Sequence, residues 1–401
     1  MKLCKDNKNI YLIGILNFLM EFKLYGAIAI LYFQEISGSI IKSMSVFSIV
    51  MVASALLEIP TGILSDKIGR KKTILLGTIF SFFYIVFYAI SNCYVMLIIG
   101  AILEGLERAL FSGNNDALLF DTLKAENKES EYGKYLGKTN SMFYCAGIIS
   151  SILGTIIAFK TSYRLIMYLS IIPRIINIII AIKIEEKGLY KQASTNILKD
   201  FVNSIKYMMS NYILRKQLIA DTITDGVGEA SFQARGEFYQ LVWPQWALGI
   251  PNAIANIGSF LGNWFSDKII NKLGKNKVII IGEMYSIISN VVAMLIKNIF
   301  SPIIIITNSF IPTGIPKEDI SQQQYKEEYR SSMGSIKSFF KSISCAIFGI
   351  IIGILAENIG IVYTIASVQV FKLISIIIYL IIFKTIKTDW YNYQSVKIFN
   401  F

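Results

Sequence analysis

Apolar runs of roughly transmembrane length alternate with short polar segments along the whole chain. Twelve are read, near residues 10–33, 43–63, 72–92, 94–116, 139–159, 163–183, 213–234, 245–265, 277–296, 299–316, 335–356 and 361–383. A helix needs about 20 mostly apolar residues to cross the hydrocarbon core of a bilayer. The pattern therefore predicts an all-α polytopic membrane protein with twelve transmembrane helices. The basic start MKLCKDNKN before an apolar run is also how a signal peptide begins. That run is long, carries Asn17, Glu21 and Lys23, and lacks a small-residue cleavage site, so it reads as the first span.

The seventh run is the weakest, because Asp221, Asp225 and Glu229 interrupt it. An internal echo keeps it. Ser65-Asp66-Lys67-Ile68 recurs as Ser266-Asp267-Lys268-Ile269, each at the end of a run and each followed by a glycine and cations. Both copies lie on the same side only if the seventh run crosses. Two six-helix halves are thus expected, residues 1–184 and 213–401, joined by a linker over 185–212. In that linker Leu198, Phe201, Val202, Ile205, Met208 and Met209 recur at helical spacing opposite Lys199, Asn203 and Lys206. This predicts an amphipathic helix on the inner leaflet.

Only 16% of residues are charged and the mean hydropathy is +0.54, which excludes an ordinary soluble protein. The net charge of +12 follows from topology. With the N-terminus inside, 29 of the 39 Lys and Arg residues fall in inside segments, and only Lys42, Lys160, Arg164, Arg235 and Lys297 fall outside. That asymmetry predicts a cytoplasmic-membrane protein with both termini in the cytoplasm, and no nucleic-acid partner. The four cysteines are scattered and histidine is absent, so neither a disulfide framework nor the usual zinc site is expected. There is no P-loop and no G-x-S-x-G run, so neither an enzyme nor a cofactor is expected.

The stretch GILSDKIGRKKT, Gly62–Thr73, sets Lys67, Arg70, Lys71 and Lys72 around Asp66 between the second and third spans. Its glycines, Gly62 and Gly69, are expected to turn the chain sharply. Asp66 is expected to face the positive end of the eleventh span near Ser338. This loop, on twelve spans in two halves, resembles the Major Facilitator Superfamily of secondary transporters, whose pattern G-x-L-a-D-r-x-G-r-k it follows. The resemblance implies alternating access and a latch in which Arg70 pairs with Asp121 to hold the cytoplasmic side closed. The second copy is degenerate, with Asn263 at the first glycine and four extra residues between Asp267 and Gly274. An exporter pattern of the family runs along span five as Gly137, Ala146, Ser150, Ser151, Gly154 and Thr155, without its proline. Small residues there also suit tight helix packing. SGNNDALLFDTL (112–123) together with LLEIPTG (56–62) is similar to a bacterial subgroup usually regarded as efflux or unassigned transporters.

Ionisable residues within spans cost roughly 2.5–3.5 kcal/mol each, so they face a cavity or a partner. The acids are Glu21, Glu58, Glu104, Glu107, Asp116, Asp221, Asp225, Glu229 and Glu283; the bases are Lys23, Arg108, Arg174, Lys341 and Lys372. The excess of acids favours protons or a cationic substrate in the cavity. Asp221, Asp225 and Glu229, four apart, share one helix face, with Asp225 about 18 Å along the span near the midplane. Asp225 is read as the main proton carrier; a water-facing stripe, or pairing with Arg174 or Lys372, is the alternative. Glu104 and Arg108, at i and i+4, either neutralise each other or act in transport with Glu107. Glu58 is expected to brace the loop. Glu21 and Lys23 point about 200° apart on a continuous helix, so only one can face the cavity, and Glu21 with Tyr25 on its face is preferred. Trp243, Trp246, Trp264 and Trp390 are read as interfacial anchors. The function expected is secondary active transport of a small organic compound, cationic or amphipathic, by proton-coupled export. An importer of a polar metabolite, or a membrane sensor that does not transport, are the alternatives.

Overall fold

The computed structural model describes residues 8–186, 197–325 and 330–399; for 197–200, 330–332 and 387–399 the backbone alone is described. The side chains of Lys199 and Trp390 and the linker stretch 187–196 lie outside the described residues. Every regular element among the described residues is a helix. Lys8–Glu21 with Ala29–Ser37, Ile40–Ile68, Arg70–Ile90, Tyr94–Phe111 with Asn114–Lys124, Tyr132–Lys160, and Tyr163–Leu169 with Ile171–Lys183 form spans one to six. Spans seven to twelve are Tyr212–Tyr239, Gly249–Trp264 with Ser266–Leu273, Lys275–Ile296, Ser301–Ile306 with Gly314–Gln324, Arg330–Ile359, and Ile361–Val368 with Val370–Phe399.

Among the described residues, seven helices are long and apolar enough to cross a membrane by length and composition alone: spans two, three, five, six, nine, eleven and twelve. The other five have local reasons to fall short. Span one is interrupted between Glu21 and Ala29, and span ten is broken around Ile311–Thr313. Span four carries Glu104, Glu107 and Arg108, and span seven its acidic stripe. The first helix of span eight, Gly249–Trp264, has only 16 residues. Spans one, four, seven and ten also supply much of the polar wall of a central cavity. Their weak hydropathy reflects that position, since a side chain facing the cavity need not be apolar.

The halves meet where small residues let backbones approach. Ser48 Oγ on span two donates to Ala346 O on span eleven at 2.9 Å. On span eight, a Cβ added to Gly249 would sit 1.9 Å from Ser151 O of span five. Gly154, further along span five, lies under the interruption of span one, where an added Cβ would sit 1.8 Å from Leu24 O. Ser151, Gly154 and Thr155 of the span-five pattern are therefore packing residues in this structure. Gly62 is different from the expectation. It lies inside the helix Ile40–Ile68 with nothing within 4 Å of an added Cβ, and Gly69 alone turns the chain, at φ 98°.

The linker helix, Ile197–Ser210, packs part of its apolar face on protein, while Val202 of that face is exposed. Met208 is buried with Leu214 and Leu218 of span seven and with Met333 and Ile336 of span eleven, and Phe201 and Ile205 pack on the same cluster. Tyr207 Oη donates to Gln324 O at 2.8 Å. The helix is thus docked on the second half, with part of its apolar stripe buried on protein.

Gly154→Ala should lower the melting temperature of the purified protein, with a cost of about 1–3 kcal/mol for overpacking, because the carbonyl of Leu24 has no room to retreat. Gly137→Ala, at an exposed helical position with nothing within 4 Å, should leave it unchanged. Equal melting curves for the two variants would refute the tight contact.

Candidate functional site

A cavity of two lobes, about 730 and 780 Å³, lies between the halves; Glu229, Phe232, Ser338 and Lys341 line both. Its walls run down to Gly113, Asp116 and Asn140 on one half and to Gly314, Glu318 and Lys337 on the other. It therefore opens on the side of the Gly69 and Gly274 turns, here called the basic side. The opposite side is shut. A Cβ on Gly236 would meet Ile30 at 2.7 Å, and the Gln34 amide, oriented to donate, reaches Glu237 at 3.1 Å. Glu357 accepts from the Ser39 hydroxyl and, at 3.2 Å, from Ile41 N.

The wall of the first half is organised by a break in span one. Arg174, wholly buried, donates through Nη1 to Leu19 O at 2.8 Å and Met20 O at 2.9 Å. These carbonyls end the helix Lys8–Glu21, and a cation suits that negative end. Arg174 was expected in the cavity. It lies behind the wall instead, because its hydrogen bonds go to backbone. The break also overturns the angular argument about Glu21 and Lys23: both line the cavity, since the chain leaves the helix between them. Glu104 takes up the nearby cations. It accepts from Arg108 Nη2 at 2.9 Å and from Tyr88 Oη at 2.9 Å, and Lys23 Nζ stands 4.0 Å away. Glu107, one turn on and 3% exposed, borders the same cavity. Among the described residues neither Glu107 nor Glu21 has an ion pair within 4 Å or a side-chain hydrogen bond.

The wall of the second half is more evenly charged. Asp221, Asp225 and Glu229 do line one cavity, as their spacing predicts. Their surroundings differ. Asp221 is buried, accepts from Tyr379 Oη, and has Lys317 at 3.7 Å and Lys337 at 3.9 Å. Asp225, at the middle of its helix, has a side chain 42% exposed to the cavity and Lys341 at 3.9 Å. Glu229 accepts from Gln233 Nε2 at 3.0 Å. Lys317 also donates to Glu283 at 2.7 Å, and Lys337 to Glu318 at 2.8 Å. The alternative partners for the stripe, Arg174 and Lys372, make no ion pair with it.

At the basic side Arg70 Nη1 meets Asp121 Oδ2 at 2.6 Å, as expected. The helix that Arg70 opens is capped by Glu186, which accepts from Arg70 N at 2.8 Å and Lys71 N at 3.3 Å. Asp66 is exposed and has no ion pair among the described residues; the carboxylate that bonds Ser338 and Ser335 of span eleven is Glu58, which also accepts from Ser112 at 3.2 Å. The second half repeats the arrangement. Gly274, at φ 83°, precedes Lys275, the first residue of span nine, and Lys275 pairs with Asp319 on the second helix of span ten. Asp121 occupies the equivalent helix of span four.

The Arg70–Asp121 pair is formed while the cavity opens on its own side, within one half. The pair therefore fastens a loop to its half and does not by itself close that side.

The sequence profile described as Major Facilitator Superfamily matches residues 10–315, well over half of the chain. The chain belongs to the Major Facilitator Superfamily. An uncharacterized transporter of Buchnera aphidicola subsp. Schizaphis graminum is 29% identical over 159 residues, 40% of this chain; the match covers only 38% of that relative's length. The uncharacterized MFS-type transporter YxaM of Bacillus subtilis is 21% identical over 358 residues, 85% of this chain and 87% of its own. A crystal structure of a bacterial homolog to the human lysosomal transporter Spinster, inward-facing and unoccupied, shares the fold. Its TM-score is 0.71 at 14% identity, over 95% of this chain and 97% of that one.

The multi-pass membrane fold read from the sequence is thus that of its family. Three cavity cations were missed as such. Arg235 was placed in an outer loop, and Lys317 and Lys337 in inner segments, because each lies within a few residues of a hydropathy boundary. Arg235 and Lys317 each stand one residue beyond an apolar run, and Lys337 just inside one.

Charge reversal tests the loop pair. Arg70→Asp or Asp121→Arg alone should lower the melting temperature of the transporter and slow transport severalfold, and the double swap should recover part of both. A double variant no better than either single one would show that the contact does not matter.

Proposed function

We propose that this superfamily member is a proton-coupled exporter of small, amine-bearing organic compounds. Its basic side faces the cytoplasm, and residues 1–184 and 213–401 act as the two bodies that rock about the cavity. One observation carries the reading: among the described residues the buried Glu107 side chain at the cavity wall has no ion pair or hydrogen bond of its own, beside a Glu104 whose cationic partners are already engaged. In a chain without histidine, proton transfer falls to carboxylates. A proton and a substrate cation compete for Glu107, so binding one releases the other. The charges facing it are Lys23, Arg108, Arg174 and Glu104. Glu21 and Tyr25, at the break of span one, extend the same wall towards an ammonium group. Asp225, read from the sequence as the carrier, already has Lys341 beside it.

In proteoliposomes, an acid lumen in a neutral bath should drive accumulation of an amine-bearing compound by exchange; a symporter needs the opposite gradient. Amine affinity should fall as pH is lowered, because protonation removes the negative charge of Glu107. Glu107→Gln should bind the amine severalfold more weakly, without that pH dependence, and lose gradient-driven accumulation, whereas Asp225→Asn should keep most of it. Normal accumulation by the Glu107 variant with loss in the Asp225 variant would place the proton on span seven.

A further inference from the structure

Charge is distributed differently on the two sides of the cavity. On the first half, Lys23 and Arg108 both turn to Glu104, leaving Glu21 and Glu107 without an ion pair of their own among the described residues. On the second half the four carboxylates of Asp221, Asp225, Glu283 and Glu318 share three lysines, Lys317, Lys337 and Lys341. Two further cations, Lys372 on span twelve and Arg235 on span seven, make no ion pair among the described residues, and both line the cavity.

Lys372 is 4% exposed, and its Nζ bonds only the hydroxyl of Ser286, at 3.0 Å. An ammonium has three donors, so two remain. Gly228 lies beside it, where an added Cβ would come within van der Waals contact, 3.9 Å from Nζ. Arg235 donates through Nη2 to Asn290 Oδ1 at 3.3 Å and stacks 5.9 Å from the Phe232 ring, while its Nε, buried, has no partner. Asn290 in turn donates to Ser286 O at 2.7 Å, so residues one turn apart on span nine orient both cations. Among the described residues neither cation has a carboxylate within 4 Å. Buried cations without counter-ions are costly, and a ligand anion is what offsets that cost.

We infer that Lys372 and Arg235 form the anion-binding end of the cavity, and that the transported compound is amphoteric, with its ammonium towards Glu107 and Glu21 and a carboxylate between Lys372 and Arg235. This rests on the proposed export of amine-bearing compounds and adds the second charge. It also accounts for two cavity cations that no carboxylate of the wall engages among the described residues. A purely cationic substrate leaves Lys372 and Arg235 repelling it.

Binding to the purified full-length protein, without any gradient, tests this. The probes are linear ω-amino acids of increasing chain length, each with its amide, which keeps only the amine, and its N-acetyl form, which keeps only the carboxylate. The best-fitting amino acid should bind about tenfold or more tightly than either partner, as for one charge-assisted pair at each end. Lys372→Met should erase its advantage over the amide while leaving amide affinity in place. Arg235→Gln, at a half-buried position, should reduce the same advantage and serves if the Lys372 variant fails to fold. Equal binding of amino acid and amide across the series, or an undiminished preference in both variants, overturns the inference. Failure of an acid lumen to drive uptake, with the amino-acid preference intact, overturns only the coupling. Gradient-driven uptake of amines with no such preference overturns only the amphoteric substrate.

Discussion

A single guanidinium holds the architecture of the cavity in place. In lipid, backbone groups that leave a helix must be satisfied within the protein. Arg174 meets this need at the end of the first helix by bonding Leu19 O and Met20 O. Once the helix stops there, the chain between Glu21 and Ala29 turns to show Glu21, Lys23, Tyr25 and Gly26 to the cavity, and Leu24 settles against Gly154. The cation itself is hidden, over the Tyr84 ring at 5.9 Å.

From that point the wall follows a rule of pairing. Apart from Arg174, which backbone carbonyls hold, the charges read within the spans find a counter-charge or border the cavity, because neither lipid nor packed side chains solvate them. Among the described residues Glu104 takes the cations and Glu107 has no ion pair, and Lys317 sits between Asp221 and Glu283 while Lys372 has only the Ser286 hydroxyl. Removing a paired residue would do more than delete one contact: it would hand its partner to the solitary neighbour and change the sign of the wall.

Much of this was legible in the sequence, for physical reasons that also set the limit. Apolar runs report the spans because lipid demands length and hydrophobicity, and even the charged seventh span was recoverable through the repeat of Ser-Asp-Lys-Ile. The pairing of Arg70 with Asp121 was legible through the family pattern. The break in span one was not: no proline marks it, and its cause, Arg174, is about 150 residues away in the chain. Hydropathy also ends a span at its first charge, which is why Arg235 and Lys317 looked like loop residues. Depth can be read from position, but facing depends on the helix staying intact. The role of Glu186 was hidden because its partners are backbone N–H groups, which carry no signature of side-chain type.

The two glycine turns, Gly69 and Gly274, place a cation at the first position of the following helix in both halves, but the cations differ. Arg70 is a planar fork, and its helix start is also gripped by Glu186; Lys275 is a point charge on a flexible stem, largely exposed beside Asp319. Salt and thermal motion loosen the second contact first. The turn at Gly274 is thus held more loosely than the turn at Gly69, an asymmetry that comes from a lysine standing where the first half has an arginine.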